Sequence, residues 1–381
     1  MKKRLVIGVD GRAVYRTFRR GTGKNLIDLY RRLSELEPSW KFIFFHQADG
    51  ENDPFGGRSG LEHRRIDMPG DRFNCWEQIR LPLAALTARV DVLHCPANTG
   101  PRWSAAPVVL TVHDLIPLDP EFSTPETRAV WRNQVARSLD RARRVITPSE
   151  YTRSKLTEEF GICADKVTVN HWAPDSGCRR ITDSVELVRA RRAYGLDSER
   201  SYVFAFGSGD PRKNTRQLIA AWALLPERLR SEYTLLLAGV QGSMVSSFRR
   251  RVQELGLTGG CQIHGFAKEH DLPALISGAT LMCYPSLSEG FGLPILDAFA
   301  CGAPVLAGNV TSIPEVAGDA AMLVDVRNPR AMAEGLRTLL EDSRRRESLI
   351  ERGKERVSQF TWDACARRLG QVFRDVLEEG R

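Results

Sequence analysis

The segment from Tyr284 to Gly302 reads Y-P-S-L-S-E-G-F-G-L-P-I-L-D-A-F-A-C-G. It carries two carboxylates, Glu289 and Asp297, with the turn Gly290-Phe291-Gly292 between them. Carboxylates accept hydrogen bonds from hydroxyl donors, and consecutive backbone N–H groups in a glycine-rich turn form a nest for oxyanions. The pattern suits polyhydroxylated, phosphorylated matter. Pro294 fits the start of a helix, where its missing N–H costs little. Asp297 then falls about one turn inside that helix, on the side that Glu289 faces.

A second glycine loop, Gly207 to Asn214, follows a strand-like run and holds Arg212 and Lys213 in tandem. Such a pair supplies the positive charge that a departing diphosphate needs; taken alone, an Arg-Lys pair is more often a solvated surface pair. Asn214 is placed to cap the next helix. Near the N-terminus, Gly21-Thr22-Gly23 opens a helix, whose positive end suits a phosphate or a sugar hydroxyl. Those glycines can also serve only to make the turn. His113 stands at the carboxyl end of a strand, where open α/β sheets bind ligands, although many histidines there are structural. His94, at the end of another strand, is a weaker candidate.

Two well-known loops are excluded. Gly23-Lys24-Asn25 has Phe18 where a P-loop needs glycine and Asn25 where it needs Ser or Thr. Gly207-Ser208-Gly209 is followed by Arg212 where the dinucleotide fingerprint needs its third glycine. No Asp-x-Asp triplet that would hold a metal occurs.

The Tyr284–Gly302 segment resembles the E-x7-E region of the retaining family 4 (group 1) glycosyltransferases, with Asp297 in place of the second glutamate. Gly207–Asn214 is similar to their donor-phosphate loop, Gly21–Gly23 to their N-terminal glycine loop, and Val112-His113-Asp114-Leu115 to a His-Asp segment of their first domain. The resemblance implies a GT-B fold of two Rossmann-like domains facing a central cleft. It also implies a nucleoside-diphosphate sugar as co-substrate, with no further cofactor and no metal. By the same resemblance, Glu289 and the N–H groups of Gly290, Phe291 and Gly292 bind the donor sugar, and Asp297 the ribose. Arg212 and Lys213 neutralise the diphosphate, His113 reaches the sugar, and Gly21, Gly23 and Gly207 line the donor site. The stretch Val112–Pro117 is similar to mannosyl- and rhamnosyltransferases of bacterial surface-polysaccharide (O-antigen) pathways. GDP-mannose is therefore the first donor, ahead of UDP-glucose and dTDP-rhamnose, and a glycan or polyprenyl-diphosphate-linked glycan is the acceptor. A nucleotide-sugar 2-epimerase of the same fold and a non-enzymatic basic polyanion-binding protein are the rivals.

Parallel α/β architecture supplies the elements that hold these residues, because short β-branched runs alternate with longer amphipathic segments. The first half predicts strands at Leu5–Asp10, Lys41–His46, Asp91–Cys95, Val108–His113, Arg144–Thr147 and Lys166–Asn170. Its helices fall at Thr22–Glu35, Cys75–Ala88, Thr127–Arg141 and Glu150–Phe160, the last capped by Ser149. The alternation falters over Trp172–Arg200 and then resumes. The chain thus divides into an acceptor domain (1–175), a donor domain (176–361) and a docking helix (362–381) that packs on its own domain or crosses back to the first.

The 381 residues are 42% hydrophobic and 27% charged, which excludes disordered and fibrous classes. No run approaches a membrane span, and Leu5–Asp10 is too short for a signal-peptide core, so a cytoplasmic protein is expected. The eight cysteines form no C-x-x-C pair and read as structural thiols. Residues 1–180 hold 29 Lys/Arg and 22 Asp/Glu, a balance of +7 out of a total of +8. That bias fits an anionic acceptor or a peripheral contact at the inner membrane face. It lacks the interleaved aromatics that nucleic-acid binding would favour.

Overall fold

A computed structural model describes residues 4–16, 21–47, 53–67, 75–196 and 200–379. They form two compact units, each an α/β sandwich around one parallel sheet. The first extends to Ala173 and takes up the chain again from Phe360; the second is Pro174–Gln359.

The first sheet has seven strands: β1 (Val6–Asp10), β2 (Lys41–His46), β3 (Leu61–Arg65), β4 (Val92–Cys95), β5 (Val108–Thr111), β6 (Ala142–Thr147) and β7 (Val167–Val169). Their order is β3-β2-β1-β4-β5-β6-β7, all parallel. Central strands such as β4 and β5 are buried throughout, which is why they read as continuous apolar runs. Strand β3, Leu-Glu-His-Arg-Arg, was not predicted. It lies at the sheet edge with four exposed residues, so it carries no apolar signature.

Ser149 caps the helix Glu150–Phe160 as expected, its Oγ accepting the Thr152 N–H at 3.1 Å. The expected helix Cys75–Ala88 instead opens with a π turn, Trp76–Arg80, before Leu81–Thr87 continues as an α-helix. That turn brings both Trp76 and Glu77 inside, where Glu77 pairs with Arg12. The C-terminal helix Trp362–Glu378 packs along Gly21–Leu36, burying Leu369, Val372, Phe373 and Val376 in the first unit. At Gly370 the helices approach so closely that a Cβ would lie 3.3 Å from Leu33.

The second sheet has six strands: β8 (Ser201–Phe206), β9 (Tyr233–Ala238), β10 (Cys261–His264), β11 (Leu281–Tyr284), β12 (Val305–Gly308) and β13 (Ala321–Val324). Their order, β10-β9-β8-β11-β12-β13, is again fully parallel. Val203, Leu235, Leu237 and Leu281 meet Leu218, Trp222, Phe248 and Leu336 of the covering helices in one core. Each such side chain contributes about 1.5–3 kcal/mol of burial free energy. All eight cysteines are free thiols. Among the described residues, no helix is long and apolar enough to cross a membrane.

Candidate functional site

In the second sheet the connections leave β8 toward β9 on one side and β11 toward β12 on the other. The carboxyl ends of β8 and β11 are therefore the topological switch point, the position at which doubly wound sheets bind ligands. Two loops meet there: Gly207–Asn214 after β8 and Pro285–Gly292 after β11.

The first loop needs glycine for packing, since a Cβ on Gly207 would lie 2.7 Å from Val240 Cγ2. Asp210 accepts the Arg212 N–H at 3.0 Å and so caps the single 3-10 turn Pro211–Lys213. Asn214 stands at the start of helix Thr215–Ala223, but its side chain does not cap it. With φ at 58° it turns away, and its Nδ2 donates to Val326 O at 2.8 Å. The two loops are sewn together where Leu287 N–H donates to Arg212 O at 2.8 Å and Arg212 Nη1 donates to Ser288 O at 2.9 Å.

This geometry converges on Glu289. Lys213 Nζ donates to Glu289 Oε1 at 2.5 Å, the Tyr284 hydroxyl donates to the same oxygen at 2.6 Å, and Arg212 Nη1 pairs with Oε2 at 2.7 Å. Burial by itself would raise the Glu289 pKa; Lys213 and Arg212, with the hydrogen bonds from Lys213 and Tyr284, outweigh it and bring it to about 2. Burial and the neighbouring carboxylate push the Tyr284 phenol well above its ordinary value, so it stays a donor. The Glu289 backbone is fixed from β12: its N–H donates to Thr311 Oγ1, and Ser312 Oγ donates to the carbonyls of Glu289 and Phe291. Gly292, at φ 110°, makes the turn into helix Leu293–Ala300 that only glycine adopts without strain.

Of the sequence-predicted residues, Arg212, Lys213 and Glu289 form one cluster, with Gly290, Phe291 and Gly292 running on from it. Asp297 has a different partner: its Oδ1 accepts the Asp175 N–H at 2.9 Å. Gly207 underlies the first loop. Sequence reasoning passed over Tyr284, Thr311 and Ser312. Tyr284 reads as an ordinary strand residue, and Thr311 and Ser312 come from a separate connection, so no spacing rule links them to Glu289.

Gly21 and Gly23 lie in the first turn of helix Gly21–Leu36, Gly23 buried and Gly21 exposed. His113, half-buried two residues beyond β5, donates its Nε2–H to Pro96 O at 2.7 Å, and its ring stacks edge-on against Trp172. Its backbone N–H donates to Asn98 Oδ1 at 2.7 Å. His94 belongs to the core instead: Nδ1 meets the Tyr30 hydroxyl at 2.5 Å, Nε2 meets Thr111 Oγ1 at 2.8 Å, and Phe373 covers the ring. Burial, with a smaller effect of His113, lowers its pKa to about 3. At the carboxyl end of β1, Arg12 bridges Asp10 and Glu77 at 2.6 and 2.7 Å over the Trp76 ring. Burial opposes the Arg12 charge, but the two carboxylates outweigh it.

Residues 20–173 match Glycosyltransferase Family 4, and residues 189–356 match Glycosyl transferases group 1. The chain is 34% identical over 258 residues to O-antigen chain mannosyltransferase B of Escherichia coli, covering 68% of this chain and 67% of that protein. Sucrose-phosphate synthase from Thermosynechococcus elongatus superimposes with a TM-score of 0.81 at 20% identity, over 99% of this chain and 100% of that one. Anabaena HepE, solved in complex with UDP-glucose, superimposes with a TM-score of 0.77 at 18% identity, over 98% and 100%.

Proposed function

The chain belongs to the family 4, group 1 glycosyltransferases, with their GT-B fold of two Rossmann-like domains, and from that membership we propose that it transfers mannose from GDP-mannose to a surface-polysaccharide glycan, free or linked to polyprenyl diphosphate. In this reading transfer proceeds with retention and without a metal. The observation that carries it is the cluster of Arg212, Lys213 and Glu289 at the carboxyl ends of β8 and β11.

When the bond from the anomeric carbon to the diphosphate breaks, its electrons leave with the diphosphate. Positive charge then builds on the sugar. Arg212 and Lys213, held at the exit of β8, neutralise the departing anion. Glu289 accepts hydrogen bonds from sugar hydroxyls, and the Gly290–Gly292 backbone completes the donor site. Asp297 is assigned to the ribose and His113 to the sugar. The acceptor hydroxyl attacks on the face that the diphosphate leaves, and the leaving phosphate takes its proton. The mannose assignment is supported by the 34% identity to an O-antigen mannosyltransferase. Action at the cytoplasmic face of the membrane, with the basic first half against anionic lipid, belongs to the same reading.

The test is a thermal-shift panel of GDP-, UDP-, dTDP- and ADP-sugars on the purified protein. Ligand at 100 times its Kd adds about 2.7 kcal/mol of stability. A rise in melting temperature with GDP-mannose, followed by GDP release that depends on added glycan, is the expected result. A rise with another nucleotide class replaces the donor, and donor turnover without acceptor turns the reading into epimerisation.

A further inference from the structure

Glu289 has three donors for its two carboxylate oxygens, and they differ in kind. Arg212 and Lys213 are cations on flexible stems, with side chains 16% and 23% exposed, at the end of a single 3-10 turn. Tyr284 is the last residue of β11, 2% exposed, with its ring set in the sheet. Lys213 Nζ also lies 3.3 Å from the Tyr284 hydroxyl, so phenol, ammonium and carboxylate form a closed triangle.

Both cations pair with Glu289, while Arg212 also donates to Ser288 O at 2.9 Å and has Asp210 as a longer contact at 3.4 Å. A diphosphate brings more negative charge than a single carboxylate and competes for both cations. Flexible side chains can swing to it; the phenol, fixed at a strand end, cannot follow. With both cations drawn away, the carboxylate keeps the sugar hydroxyls and one protein donor, the phenol, to hold it ionised and in place.

We propose that Tyr284 is a positioning residue that holds the Glu289 carboxylate in its sugar-binding orientation once a bound diphosphate has drawn Arg212 and Lys213 away from it. The proposal rests on the donor-binding reading above. Among the described residues, the titratable groups facing Glu289 are Lys213 and Arg212 from the β8 loop and Tyr284 from β11, and the β12 connection contributes the hydroxyls of Thr311 and Ser312.

Tyr284→Phe, which keeps the ring and removes one hydroxyl, separates the two roles. The probes are GDP and GDP-mannose. GDP affinity should stay within about threefold of wild type, because both cations remain. Turnover of GDP-mannose at saturation should fall about tenfold, and the acid limb of its kcat profile should move up by about one pH unit as Glu289 protonates more easily. Glu289→Gln should lose the same turnover and the acid limb together. Tyr284→Phe with wild-type kcat and an unmoved acid limb, beside an impaired Glu289→Gln, overturns the proposal and leaves the donor reading standing. Equal losses of GDP affinity and kcat in Tyr284→Phe also overturn it, assigning Tyr284 to packing. Wild-type protein that binds neither GDP nor GDP-mannose overturns the donor assignment and this proposal with it.

Discussion

Lys213 Nζ lies 2.5 Å from Glu289 Oε1, although 76 residues separate them in the chain. The contact exists because β8 and β11 are neighbours in a parallel sheet and their following loops leave from the same end of it. One cation thus serves both the resting carboxylate and, in the proposed reaction, the departing diphosphate.

Lys213→Ala should lower kcat at least ~100-fold, because the charge it removes acts mainly on the transition state. Initial rates with GDP-mannose and an oligosaccharide acceptor measure this. A folded variant with unchanged turnover would remove Lys213 from the reaction.

Turnover should survive chelation, since Arg212 and Lys213 supply the charge that a metal would otherwise bring. The check is the rate before and after incubation with EDTA. Loss of activity that Mn²⁺ or Mg²⁺ restores would refute metal-free transfer.

Asp297 holds the Asp175 N–H, so its carboxylate has a structural task besides the proposed ribose contact. Asp297→Glu keeps an acceptor of the same charge and should bind GDP within a few-fold of wild type. Asp297→Ala strands that N–H, at a cost of about 1–3 kcal/mol, and should also weaken GDP binding. Calorimetric titration with GDP, paired with urea unfolding, separates the two effects.

Stability should fall on acidification through His94. Folded, it stays neutral until about pH 3; unfolded, it takes up a proton near its ordinary pKa of 6.5. Between those values the unfolded chain binds the extra proton, so stability drops as pH falls, by about 3 kcal/mol at pH 4. Urea titrations at pH 7 and pH 4 measure it. His94→Gln should be less stable at pH 7 yet lose less between the two; an unchanged pH dependence would assign the acid sensitivity to other groups.

Phe373 is fully buried in the first unit, although it comes from the end of the chain. Phe373→Ala should cost about 3–5 kcal/mol. Calorimetry should show the loss in one of two transitions, the second unit melting as before. A uniform shift of both transitions would show that the units unfold together.

Much of this was legible before any fold was known. Lys41–His46 and Glu150–Phe160 adopt the bounds that their patterns predict, and Ser149 caps the latter as its position predicts. Glu289, Arg212 and Lys213 stood out because glycine loops between strand and helix leave their own short-range marks. Strand β3 left none, since an edge strand has little apolar face to bury. The π turn at Trp76–Arg80 answers to a buried partner at Arg12, 65 residues away from Glu77.

What the sequence alone determined, then, is local: periodicity, caps, turns and the glycine-framed charges, each governed by neighbours within a few residues. Which loops meet was decided only by strand order. The pairing of β8 with β11 sets Tyr284 beside Lys213, and the return of the C-terminal helix sets Phe373 over His94. Tyr284 looks like any buried aromatic until the sheet brings the Lys213 cation to its hydroxyl, beside the Glu289 carboxylate five residues on. Contacts of that kind depend on register between strands far apart in the chain, and no nearby residue encodes them.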